Sequence, residues 1–96
     1  MSNDKPFQGK HALVTGSARG IGRAIAEDLA EWGAGQVILD MNLDDCKKTA
    51  AEISDKYGVK TTAIQCNVTK KSDVEAAAEQ IKSEFGGLDF LVNNAG

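Results

Sequence analysis

The chain has 96 residues, 42% of them hydrophobic and 26% charged, with a single proline. That length allows one small domain, near the size at which a single core becomes marginal. A formal net charge of −3, with eleven scattered lysines and arginines, leaves no basic excess for phosphates and argues against a nucleic-acid partner.

The leader Met1–Lys10 is polar and lacks a hydrophobic signal segment. His11–Thr15 (HALVT) is a short apolar run that ends in glycine, as a buried strand does. Apolar residues then recur at helical spacing from Ile21 to Trp32 (Ile21, Ile25, Leu29, Trp32), with Gly33 placed to cap the end. Gln36–Asp40 (QVILD) reads as a second strand. A helix is expected from Leu43 to about Tyr57, with Asp44 and Asp45 in the first turn, where the dipole favours negative charge, and Gly58 at the stop.

A third strand is expected over Thr61–Val68. Ser72 then reads as an N-cap, with Glu75 completing a capping box. The helix that follows carries Val74, Ala77, Ala78, Ile81 and Phe85 on one face and ends at Gly86–Gly87. Leu88–Val92 forms a fourth strand running into Asn93-Asn94-Ala95-Gly96. Trp32, Phe85 and Phe90 read as packing residues, and His11 as an exposed or capped strand start. Cys46 and Cys66 match no metal-ligand or redox spacing, so reduced thiols and no metal site are expected. No apolar run approaches the roughly 18 residues of a membrane span, and a cytoplasmic, soluble domain is expected.

Alternating strands and helices with short connections imply an α/β fold with a parallel sheet and three crossover helices. Right-handed crossovers put the first two helices on one face if strands 1, 2 and 3 proceed outward. To begin covering the opposite face, the third helix must carry the chain back past strand 1, which gives strand order 3-2-1-4 and a switch point between strands 1 and 4. Ligands of such sheets bind there, outside the carboxyl ends of the strands.

Thr15-Gly16-Ser17-Ala18-Arg19-Gly20-Ile21-Gly22 lies between the first strand and the first helix. Gly16 permits a tight turn, Gly20 lets backbone approach a pyrophosphate, and Gly22 allows close packing of the helix. The helix N-terminus offers unpaired N–H groups to the anion. No Lys-Ser/Thr pair follows the last glycine, which excludes a Walker A loop.

The spacing G-x-x-x-G-x-G, as Thr-Gly-x-x-x-Gly-Ile-Gly, resembles the short-chain dehydrogenase/reductase family. Asp40, Asn67-Val68 and Asn93-Asn94-Ala95-Gly96, each closing a strand in the right order, extend the resemblance from the first strand to Gly96. Asn-Val-Thr and Thr-Gly-x-x-Arg-Gly-Ile-Gly are similar to the 3-oxoacyl-acyl-carrier-protein reductase branch of that family. The resemblance implies a Rossmann-type sheet and a nicotinamide dinucleotide held by Gly16, Ser17, Ala18, Arg19, Gly20, Ile21, Gly22, Asp40, Asn67, Val68, Asn94, Ala95 and Gly96.

Asp40, 18 residues past Gly22, stands where an acid hydrogen-bonds the ribose 2′-hydroxyl and repels a 2′-phosphate, favouring NAD over NADP. Arg19 pulls the other way, since a basic residue before the second loop glycine accompanies NADP preference in the family. The expected cofactor is NAD, with NADP the alternative. Asn67 replaces the aspartate that faces the adenine amino group in many relatives; an amide oxygen accepts the same bond. Its alternative reading is a strand-end turn residue. Asn93 would tie the central strands together, while Asn94, Ala95 and Gly96 would line the nicotinamide ribose.

Family members move a hydride between nicotinamide and a carbonyl or alcohol, the proton passing through a tyrosine whose pKa, ordinarily about 10, is lowered by a lysine four residues on. The single tyrosine here, in Tyr57-Gly58-Val59-Lys60, has the wrong spacing, a helix-breaking glycine and the wrong strand end. No catalytic residue is therefore expected within residues 1–96, which read as the cofactor-binding part of a single domain whose catalytic part follows. The parent would be an enzyme, acting on a small-molecule or acyl-carrier-bound carbonyl, and a homotetramer as relatives often are. The competing reading is a stand-alone, non-catalytic dinucleotide-binding or scaffold module. An open fourth strand, with Leu91 and Val92 unshielded, would leave residues 1–96 alone unstable or self-associating.

Overall fold

The computed structural model describes residues 5–94. Strands β1 (His11–Thr15), β2 (Gly35–Asp40), β3 (Thr61–Gln65) and β4 (Phe90–Val92) alternate with helices α1 (Gly20–Glu31), α2 (Leu43–Tyr57) and α3 (Lys71–Phe85). The strands form one sheet in the order β3-β2-β1-β4, and every pairing is parallel. This is the order expected of right-handed crossovers when the third helix covers the face opposite the first two. The register sets Thr15 opposite Leu39, Asp40 opposite Gln65 and Val14 opposite Val92. The carboxyl ends of all four strands therefore share one rim.

The two-residue period of the strands divides the core. Val14 and Ile38 point toward α1 and α2 and pack with Ala26, Ala30, Cys46, Ala50 and Ile53. Leu13, Val37, Leu39 and Ile64 point the other way, against Ala77, Ile81 and Phe85 of α3. Both central strands are buried along nearly their whole length, as parallel strands covered on both faces must be. The α3 face is only half covered. An apolar cleft of about 610 Å³ remains between α3 and the β1–β4 half of the sheet, lined by Leu13, Leu39, Val74, Ile81, Leu88 and Leu91 among others.

Several local expectations change. On α1 the buried residues are Gly22, Ala26 and Ala30, while Ile21 and Trp32 are 75% and 54% exposed. Small residues turn toward the sheet because they let the helix lie close to it, and Ile25 and Leu29 flank the contact. Trp32 caps α1 rather than ending its stripe. It still packs, its ring 5.5 Å from Phe7, which in turn sits 4.7 Å from Phe90.

The third strand stops at Gln65 rather than Val68, because β2 ends opposite at Asp40 and supplies no further partner. The capping box at Ser72 and Glu75 does not form. Lys70 is the N-cap, and Asp73 reaches back instead, accepting from the Asn67 N–H at 3.0 Å. Val74 and Ala78 lie exposed on the cleft side of α3. β4 begins at Phe90, two residues later than expected, after Asp89 has donated its N–H to the His11 carbonyl at 2.8 Å and accepted the His11 N–H on its carboxylate at 2.9 Å. Leu91 is exposed as foreseen, but Val92 is partly buried against the α1–α2 core.

Candidate functional site

The turn after β1 is built by its neighbours as much as by its glycines. Gly16 and Gly20 take left-handed backbone angles, φ 67° and 65°, which other residues adopt at a cost. Gly16 and Ser17 donate their N–H groups to the Leu39 carbonyl at 2.9 and 3.2 Å. The Ser17 hydroxyl accepts from the Leu39 N–H at 3.0 Å and is fully buried. The backbone of Ala18 is held on both sides of its Cα, its N–H donating to Asp40 Oδ2 at 3.2 Å and its carbonyl accepting from the Thr49 hydroxyl at 2.6 Å. Ser17 and Ala18, grouped with the ligand-facing residues by sequence reasoning, thus turn their side chains inward and fasten the loop to β2 and α2.

Beyond Ala18 the chain opens to solvent. Arg19, Gly20 and Ile21 are exposed. Helix α1 begins with no side-chain cap and no acidic residue in its first turn. Its first N–H groups lack intrahelical partners by construction, and the positive end of its dipole faces the rim. Helix α2 differs at each point: Asn42 Oδ1 accepts from the Asp45 N–H at 3.0 Å, and Asp44 and Asp45 occupy the first turn. Gly22 brings α1 hard against the loop, for a Cβ there would lie 2.1 Å from the Gly16 carbonyl oxygen.

On the other side of the switch point, Thr15 joins β1 to the end of β4. Its hydroxyl donates to Asn93 Oδ1 at 3.2 Å and accepts from the Asn94 N–H at 2.9 Å. Asn93 therefore links the two strands as its position suggested. Asn94 also extends Nδ2 to within 3.5 Å of the Gly16 carbonyl. Thr15 stood in the sequence as a strand end and the first residue of the glycine motif, with nothing to show that it would bond the end of β4. Ala95 and Gly96, expected beside the nicotinamide ribose, lie outside the described residues.

Asp40 spends one lone pair of each carboxylate oxygen on backbone, accepting from Met41 N–H at 2.8 Å as well as from Ala18. A second lone pair on each oxygen remains for hydroxyl donors. Asn67 closes an Asx turn, its Oδ1 accepting from the Thr69 N–H and hydroxyl at 3.0 and 2.6 Å. The acceptor expected to meet adenine is thus engaged locally, and Nδ2 is the atom left for a base. Val68 is partly exposed at the mouth of the apolar cleft.

The thiols lie beneath the rim. Cys46 is buried and points Sγ at the Ile64 carbonyl. Burial, reinforced by the charges of Asp40 and Asp45, pushes it up to about 11. Cys66 is buried as well and is raised mainly for the same reason.

Tyr57 and Lys60 stand at the opposite end of the sheet. The phenol donates to Glu27 Oε1 at 3.0 Å, and the Lys60 ammonium reaches the Glu84 carbonyl and lies over the Phe85 ring. They do not form an acid–base pair. Among the described residues no group of three or more His, Cys, Asp or Glu could hold a metal ion, and no helix is long and apolar enough to cross a membrane.

A glycine turn feeding an uncapped helix, an acid closing β2 and an asparagine pair closing β4 meet at the switch point of a parallel sheet. These features define a Rossmann-type α/β domain. The short chain dehydrogenase family matches residues 10–96, and the chain belongs to that family. It is 47% identical over 90 residues to the 3-oxoacyl-[acyl-carrier-protein] reductase of Aquifex aeolicus, covering 94% of this chain and 36% of that protein.

Among solved structures, L-sorbose reductase from Gluconobacter frateurii, complexed with NADPH and L-sorbose, superposes with a TM-score of 0.93 at 41% identity. The match covers 97% of this chain and 35% of that one. An NAD+-bound xylitol dehydrogenase gives 0.90 at 40% identity, covering 96% and 35%. The chain thus spans about a third of the length of these relatives.

Proposed function

We propose that residues 1–96 bind a nicotinamide dinucleotide and form the cofactor-binding part of an NAD(P)-dependent oxidoreductase. The observation that carries this reading is the start of α1. It is left open by its lack of a side-chain cap or first-turn acid, and it is pressed against the glycine turn at the switch point. A pyrophosphate is the ligand that such donors and such a dipole suit. The exposed apolar surface of Ile21 suits a flat ring lying beside the same turn, and Asn67 Nδ2 suits an adenine ring nitrogen. Bound there, the dinucleotide would supply or accept a hydride from a carbonyl or alcohol substrate.

The carboxylate of Asp40 favours NAD over NADP. Two like charges about 4 Å apart repel by roughly 1 kcal/mol in water and about 4 kcal/mol at a protein surface, so a preference of about fivefold or more follows. Exposed Arg19 reduces but does not cancel it, being free to swing away from the 2′ position. The similarity to a 3-oxoacyl-[acyl-carrier-protein] reductase supports an acyl-carrier-bound carbonyl as substrate for the parent, in a soluble, homotetrameric enzyme. The proton-transfer groups fall to residues after Gly96 in this reading, since Tyr57 is engaged with Glu27.

Titration with NADH and NADPH by calorimetry tests the proposal. NADH should bind the more tightly, and Asp40→Ser should narrow or invert the difference by about tenfold. Absence of heat from either dinucleotide at millimolar concentration refutes cofactor binding, and equal affinities in the unaltered chain refute the role given to Asp40.

A further inference from the structure

Helix α2 carries a threonine whose hydroxyl has no local use. Thr49 lies mid-helix, where threonine is a mediocre helix former, and only 2% of its surface is exposed. Valine would fill the same space without a polar atom to satisfy. A helical threonine usually turns its hydroxyl back to the carbonyl of the preceding turn. This one instead donates to the Ala18 carbonyl of the glycine turn at 2.6 Å, spanning 31 residues of sequence.

The direction of that bond is enforced. A hydroxyl has one proton to give, and Thr49 Oγ1 is approached on its acceptor side by Arg23 Nη1 at 3.4 Å. Arg23 is in turn held by Glu27 and Glu52, each at 2.9 Å. The guanidinium has only donors, so the threonine proton must point to Ala18. With the Ala18 N–H fixed by Asp40, the two peptide planes that flank the Ala18 Cα are both pinned, immediately before the exposed donors of the α1 start.

We infer that Thr49 is a positioning residue for dinucleotide binding: from the buried face of α2 it fixes the Ala18–Arg19 peptide through the Ala18 carbonyl and so aims the α1 N–H groups at the pyrophosphate. This rests on the dinucleotide reading above. Pinning the loop before ligand arrives reduces the ordering that binding must impose. The effect is confined to the phosphate-bearing part of the ligand, since Thr49 holds the turn and not the adenine-side residues Asn67 and Val68.

The test uses two pairs of full-chain variants that differ only in the hydroxyl, wild type against Thr49→Val and Thr49→Ser against Thr49→Ala. Affinities for NADH, ADP and adenosine are measured well below the melting temperature of each. Within each pair, loss of the hydroxyl should weaken NADH and ADP about tenfold and leave adenosine unchanged, with Thr49→Ser close to wild type. Equal ADP affinities within a pair overturn the inference, and so does a matching loss for adenosine, which would mark Thr49 as a general fold residue. Should Thr49→Val fail to fold, the serine–alanine pair decides alone. Failure of the wild type to bind NADH and ADP sinks the dinucleotide reading itself; binding that is indifferent to the hydroxyl sinks only the role of Thr49.

Discussion

Replacing Gly22 by alanine should destabilise the chain, although helix propensity predicts the reverse. Gly22 lies within α1 and its φ is not positive, so alanine meets no conformational penalty and gains up to about 1 kcal/mol in helix propensity. The added methyl, however, would sit 2.1 Å from the Gly16 carbonyl oxygen, 2.8 Å from its carbon and 2.7 Å from Asn94 Nδ2. Contacts under 3.0 Å are essentially never seen, so α1 and the turn must separate by about an ångström. Two of the opposing atoms are backbone, which puts the cost near the upper end of the roughly 1–3 kcal/mol typical of overpacking. The net loss is about 2 kcal/mol, or a fall of about 10 °C in Tm for a domain of this size.

Thermal melts followed by circular dichroism read the change. Gly20→Ala is the comparison, because its methyl meets nothing within 4 Å and only its positive φ of 65° is penalised. It should cost about 1 kcal/mol and melt above Gly22→Ala. A Gly22→Ala chain that melts with or above the wild type would refute the steric reasoning.

Glu27 is held below its ordinary value of 4.5, chiefly by the Arg23 guanidinium, with the Tyr57 hydroxyl and Lys56 assisting. Its folded value lies below the unfolded one, so its contribution is complete above about pH 5 and is lost as pH falls through the folded value. Wild type should lose about 1 kcal/mol more than Glu27→Gln between pH 6 and pH 3, read by urea melts; parallel pH profiles would contradict this. The buried thiols of Cys46 and Cys66, both raised by burial, should resist a disulfide reagent at pH 8 until urea unfolds the chain. Rapid labelling of either in the native state would show that the rim is more open than described.

Strand and helix order, the parallel sheet and its 3-2-1-4 arrangement were all legible in the sequence, because periodicity and crossover handedness are local or generic constraints. The glycine turn, Asp40 at the end of β2 and Asn93-Asn94 after β4 were legible as strand-end features for a related reason: a tight turn, a strand-end charge and a pair of amides leave few alternative residue types. The helix faces were less so. Ile21 and Trp32 match the apolar spacing of α1, yet Gly22, Ala26 and Ala30 face the sheet, since the distance of closest approach, rather than hydrophobicity, sets the rotation of that helix.

Only the tertiary structure assigned the polar partners. Ser17 faces inward to Leu39, Asn67 closes its own turn, and Asp73 takes the place expected of Glu75. Thr15 and Thr49 reach across 78 and 31 residues of chain, distances at which no spacing rule operates. A side-chain hydrogen bond depends on ångström-scale placement of two distant backbones, which a one-dimensional pattern does not encode. The sequence by itself thus determined the strand order and the glycine turn at its switch point, and the packing of α1 and α2 on the sheet decided which residues hold that turn in shape.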